Sequence, residues 1–192
     1  MKDMFEIRIH GRGGQGAKTA AQFIVEAALE KGKHIQSFPE YGPERAGAPM
    51  KAFARISDKE IRTYAPVVNP DVVIVIDPTL LNSVNVAEGL SDQGILLVNS
   101  PDSSDMIKKR INSGLTDFKG KCMTVDATKI SIEAVGKNLP NTPMIGALIK
   151  ATKCITMEDI ENSIKDKFLK KIGEQKTKAT IDSVKKAYEE AL

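Results

Sequence analysis

The chain predicts an α/β protein of the Rossmann-like kind: a layered, mainly parallel sheet with helices on both faces, followed by C-terminal helices. Three observations predict it. Strand-like and helix-like segments alternate from the N-terminus onward. A glycine cluster, Gly11 to Gly16, falls between the first strand and the first helix. The run Val72, Val73, Ile74, Val75 and Ile76 is unbroken and β-branched, as in a strand buried on both faces of a parallel sheet.

Phe5, Ile7 and Ile9 alternate with Glu6, Arg8 and His10, which makes the opening segment a strand. Residues 17–31 form a helix, because Ala20, Phe23, Ile24, Ala27 and Ala28 recur at helical spacing and Gly32 stops it. Residues 34–38 are a second strand, expected to lie beside the first and parallel to it. Residues 39–49 are a loop broken by Gly42, Pro43, Gly47 and Pro49. Residues 51–57 alternate again, and 57–60 are expected to turn them into a short hairpin ending near Tyr64. Residues 80–90 are expected to be helical, with short strands at 95–98 and 123–125. In the C-terminal part, 144–152, 157–168 and 174–192 are helices, the middle one opened by a Thr156–Asp159 capping box. The lysines of the last helix suit either a solvated face or an acidic partner. No repeat, low-complexity segment or linker divides the 192 residues, so one domain, 1–192, is expected.

Composition narrows the function classes. With 28 basic against 25 acidic residues the net charge is only +3, too little for a chain whose main partner is nucleic acid. No apolar run approaches the roughly 20 residues that span a bilayer. The N-terminus has no signal-peptide core, so no membrane role and a cytoplasmic location are expected. Cys122 and Cys154 are the only cysteines, too few for an iron–sulfur cluster and read as small apolar side chains. His10 and His34 are the only histidines, so no metal site and no histidine-based catalytic group is expected.

Gly11, Arg12, Gly13, Gly14, Gln15 and Gly16 fit GxGxxG between a strand and a helix. Glycines open backbone angles closed to other residues and let a ligand approach the main chain, while the helix start presents N–H donors to an anion. Phosphate or pyrophosphate binding is one reading, with Arg12 adding a charge. The other is a tight turn that needs glycine to pack, or to admit another subunit. A complete NAD-dependent dehydrogenase fits poorly, because Glu40 is the only acid near the end of the second strand that could hold a ribose.

The glycine motif joined to Phe38-Pro39-Glu40-Tyr41-Gly42-Pro43-Glu44-Arg45-Ala46-Gly47-Ala48-Pro49 resembles the gamma subunits of pyruvate and related 2-oxoacid:ferredoxin oxidoreductases. The likeness extends through residues 52–57, Asn69-Pro70-Asp71 and Asn141-Thr142-Pro143-Met144-Ile145-Gly146-Ala147, covering roughly residues 5–150. It implies one subunit of a heteromeric enzyme with alpha, beta and delta partners. That enzyme would turn pyruvate, coenzyme A and oxidised ferredoxin into acetyl-CoA, CO2 and reduced ferredoxin. Thiamine diphosphate, magnesium and iron–sulfur clusters are implied on the partner subunits, and this chain is left with assembly and a share of the coenzyme A site. Gly11, Arg12, Gly13, Gly14, Gln15 and Gly16, with Tyr41, Glu44 and Arg45, are the candidate binding residues. No catalytic residue is assigned. The loop wording favours pyruvate, with 2-oxoisovalerate as alternative. A free-standing nucleotide-binding or regulatory module is the rival of a different class. The Tyr41–Pro49 loop faces a partner subunit in one reading; in the other, Glu44 and Arg45 only brace each other.

Overall fold

The computed structural model describes residues 3–41, 47–113 and 117–192. Strand β1 (Met4–Arg12) leads through the glycine turn into helix α1 (Ala17–Leu29), then to strands β2 (His34–Tyr41) and β3 (Pro49–Ser57). Strands β4 (Val72–Val75) and β5 (Ile95–Asn99) are joined through a 3-10 helix, Pro78–Asn82. Helix α2 (Ser104–Asn112) leads to strand β6 (Lys121–Val125). Helices α3 (Ala127–Val135), α4 (Pro143–Thr152), α5 (Met157–Ile172) and α6 (Glu174–Glu190) complete the chain. Among the described residues no helix is long and apolar enough to cross a membrane.

The six strands form one sheet in the order β2-β3-β1-β4-β5-β6. β1, β4, β5 and β6 run parallel, while β3 is antiparallel to both β1 and β2. The α/β architecture with helices on both faces therefore stands, with one antiparallel strand, β3, between β2 and β1.

Three local expectations need correcting. β2 does point the same way as β1 but is not its neighbour, because β3 lies between them. For the same reason no hairpin follows Ser57: both edges of β3 are already paired, and the chain beyond it finds no free ladder. Instead, carbonyls of that segment receive side chains, Thr63 from Gln36 at 2.9 Å and Ala65 from Arg55. Third, 80–90 is not an α-helix. Asp77 caps a single 3-10 turn with Pro78 at its start, and the chain then passes through successive turns. Helices α2 and α3 were not expected. α2 is strongly polar and buries only Ile107 and Ile111, a pair four residues apart.

One face of the sheet carries Ile7, Ile9, Ala52, Ala54, Val72, Ile74 and Leu97 against α1, α4, α5 and α6. The small Ala52 and Ala54 let α1 lie close to β3. The other face carries Val73, Val75, Leu96 and Val98 beneath Leu80, Leu81, Ile107 and Phe118. Beside it, on β1 and β3, the same face is polar yet buried. The guanidinium of Arg55 donates to Glu6 at 2.9 Å and sits over the Phe38 ring at 5.5 Å. Arg8 donates to His10 Nε2 at 3.1 Å and to the carbonyls of Val86 and Val67, while also bonding Glu88. Burial, reinforced by the Arg8 and Lys51 charges, pushes the His10 pKa down to about 3, so the imidazole stays neutral and accepts the Arg8 bond. The expected capping box closes α5: Thr156 N–H donates to Asp159 at 2.7 Å, and Asp159 N–H to Thr156 Oγ1 at 3.3 Å.

Candidate functional site

The glycine turn stands at the carboxyl end of β1, beside the carboxyl end of β4. Open α/β sheets place ligand sites there. β3 begins at this edge, with Pro49 opposite Arg12, and β2 ends there, with Tyr41 opposite Met50. The turn touches the two residues that lead into β3: Gly13 N–H donates to Ala48 O at 3.0 Å, and Arg12 Nη1 to Gly47 O at 3.1 Å. The two motifs do share one edge, as expected. The reason is the antiparallel β2–β3 pairing across the loop, not adjacency of β1 and β2.

Inside the turn the polar side chains are committed to the protein itself. Gln15 N–H donates back to Arg12 O at 3.1 Å, and Gln15 Oε1 accepts from Arg12 N–H at 2.7 Å. Asp77, one residue past Ile76 at the end of the buried run, gathers the rest. Its Oδ2 accepts from Arg12 Nε at 3.0 Å and Gln15 Nε2 at 2.8 Å. Its Oδ1 accepts from the Thr79 N–H and hydroxyl at 2.9 and 2.7 Å. Arg12 Nη2 reaches Thr79 Oγ1 at 2.9 Å. Burial raises the Asp77 pKa, but the bonds from Thr79 and Gln15 and the Arg12 charge outweigh it, so the net shift is downward and the carboxylate is held ionised. Neither Asp77 nor Thr79 was singled out from the sequence. An acid directly after the buried run of β4, followed by Pro78, was the available signal.

The backbone of Gly14 and Gly16 lies at φ +94° and +80°, the left-handed region that glycine alone enters freely. Gly16 is the N-cap of α1 and no side chain caps that helix, so its first-turn N–H groups remain available as donors. Asn141 lies against Gly16: a Cβ there would stand 2.7 Å from its Nδ2. Of Tyr41 only the main chain is described; Glu44 and Arg45 lie outside the described residues.

Among the described residues no group of three or more His, Cys, Asp and Glu is placed to hold a metal ion. Both cysteines are free thiols, and burial pushes Cys122 up to about 11. The edge is thus equipped to hold an anion or another polypeptide near the main chain.

Comparison with known proteins bears on what this edge serves. Residues 6–190 match the family described as pyruvate ferredoxin/flavodoxin oxidoreductase. The pyruvate synthase subunit PorC of Thermotoga maritima is 49% identical over 98% of this chain and 95% of its own length. The pyruvate/ketoisovalerate oxidoreductases common subunit gamma of Pyrococcus furiosus is 44% identical over 95% of this chain and 97% of its own. The crystal structure of pyruvate oxidoreductase subunit PORC from Thermotoga maritima superposes with a TM-score of 0.88 at 46% identity, covering 100% of this chain and 98% of that one.

Proposed function

The chain belongs to the pyruvate ferredoxin/flavodoxin oxidoreductase family, and from that premise we propose that it is the gamma subunit of a heteromeric pyruvate:ferredoxin oxidoreductase. The assembled enzyme converts pyruvate, coenzyme A and oxidised ferredoxin into acetyl-CoA, CO2 and reduced ferredoxin. Thiamine diphosphate with magnesium supplies the decarboxylation chemistry, and iron–sulfur clusters carry the electrons. Cys122 and Cys154 are too few thiolates for such a cluster, which supports placing the clusters on alpha, beta and delta partners.

One observation carries this chain's share of the work: the glycine turn and the 47–49 segment are hydrogen-bonded into a single edge beyond the parallel strands. A turn without Cβ atoms, followed by an uncapped helix start, accepts a pyrophosphate of coenzyme A or a neighbouring subunit's main chain at close range. Asp77 keeps Arg12 and Gln15 in place, so the turn holds its shape before anything binds. Tyr41, Glu44 and Arg45 would supply the other wall. The free thiols suit a reducing cytoplasm.

A related reading has one observation in its favour. The Pyrococcus furiosus relative is named as common to pyruvate and ketoisovalerate enzymes, so a chain of this kind can leave the choice of 2-oxoacid to its partners.

Reconstitution with partner subunits tests the proposal. The chain alone, supplied with pyruvate, coenzyme A, thiamine diphosphate and ferredoxin, should show no turnover. Gly14→Val should impair assembly or raise the KM for coenzyme A, and Arg45→Ala should act in the same direction but more weakly. A Cβ at Gly14 meets nothing within 4 Å, so the variant's effect on folding is limited to the strain of its φ of +94°. If both variants assemble and turn over like the parent, the composite edge is not a binding surface.

A further inference from the structure

The glycine turn has a second side. Away from Asp77, between the start of α1, the 137–142 segment and helices α5 and α6, lies a cavity of about 400 Å³. Its walls are Val135, Leu139, Phe168 and Ile172, and its inner end is formed by Gly14, Gly16, Thr19 and Asn141. Lys137 and Lys176 stand at the rim, both exposed. Among the described residues neither has an ion-pair partner and no carboxylate lines the space.

Asn141 makes this more than a helix end. It is 6% exposed, lines the cavity and packs on the N-cap Gly16, yet among the described residues its amide makes no hydrogen bond. Its amide opens onto the cavity, where a ligand that enters can complete its hydrogen bonds. The uncapped N–H groups of α1 converge on the same end. Two unpaired ammonium groups at the rim add the matching field. Beyond this polar end the lining is mainly hydrocarbon, with Thr180 and Ser183 on the α6 side donating their hydroxyl protons to carbonyls of their own helix.

We propose that this cavity binds an oxyanion carrying a hydrocarbon body. The anionic head sits at the start of α1 against Asn141, and the body lies between Leu139, Phe168 and Ile172. The site shares Gly14, Gly16 and the start of α1 with the proposed coenzyme A edge but extends between the 137–142 segment, α5 and α6, away from Arg12 and Asp77, so an anion seated here would compete with a pyrophosphate at that helix start. A phosphate and a carboxylate share the required chemistry.

Calorimetric titration of the full chain at low salt tests this, with phenyl phosphate, 4-phenylbutyrate, inorganic phosphate and AMP as probes. At least one of the first two should bind saturably, one per chain, and at least tenfold more tightly than inorganic phosphate or AMP. Which of them wins identifies the head group. K137E/K176E should weaken that binding about tenfold with an unchanged urea midpoint, and Asn141→Leu should do likewise. Should Asn141→Leu fail to fold, the lysine variant decides alone. The proposal is overturned if neither aromatic anion binds. It is overturned equally if inorganic phosphate or AMP matches them, or if reversing both lysines changes nothing.

Discussion

Replacing Asp77 by alanine removes more than one surface carboxylate. Its two oxygens accept from Arg12, Gln15 and both donors of Thr79, at 2.7 to 3.0 Å. Losing the cap of the 3-10 turn costs about 1 kcal/mol. The bonds from Arg12 and Gln15 would each contribute about 1–2 kcal/mol, but they share Oδ2, so their losses do not add. The Arg12 side chain is 31% exposed, which discounts its part through solvent screening. The sum is about 2–3 kcal/mol. With a urea dependence of roughly 2 kcal/mol per molar, the unfolding midpoint should fall by about 1–1.5 M. The folded-state pKa of Asp77 lies below its unfolded value of 3.8. Its contribution is therefore present above that pH and is lost as pH falls through the lower folded value. The difference between parent and Asp77→Ala should accordingly shrink in acid. Equilibrium urea denaturation of both proteins at pH 7 and near pH 3 measures this. A midpoint shift below about 0.3 M at pH 7 would refute the view that Asp77 organises the turn.

Three further outcomes are expected. His10, held neutral with a pKa of about 3, leaves the unfolded chain binding the extra proton below the ordinary value of 6.5. Stability should thus fall with pH between about 6 and 3, by up to about 1.4 kcal/mol per pH unit, and His10→Gln should flatten that slope in urea titrations. In Gly146→Ala the new Cβ would stand 2.1 Å from Val184 O, main chain on main chain between α4 and α6. Separating the helices should cost about 3 kcal/mol or more, seen as a lower melting temperature. Arg8→Met leaves the carbonyls of Val67 and Val86 without their buried donor, and hydrogen exchange should show residues 65–90 opening more readily while β5 and β6 stay protected.

What the sequence determined was local. The alternation of Phe5, Ile7 and Ile9 specifies β1, and the β-branched run at 72–76 specifies β4, because side-chain periodicity reports which faces are buried. The glycine cluster and the Thr156–Asp159 box mark where helices begin, since backbone angles and capping depend on a few neighbouring residues. Helix α2 stayed hidden because two buried isoleucines are a weak periodic signal. Tertiary structure alone decided who pairs with whom. A strand has two edges, and nothing in residues 49–57 says that β1 and β2 will occupy both. That pairing removed the expected hairpin and brought Ala48 to Gly13. It is also why Asp77 was not singled out, and why Asn141 was named for its motif but not for a place at the site. Each becomes part of the site only through a residue more than 60 positions away, Arg12 for the first and Gly16 for the second, and a contact at that separation leaves no trace in local composition or period.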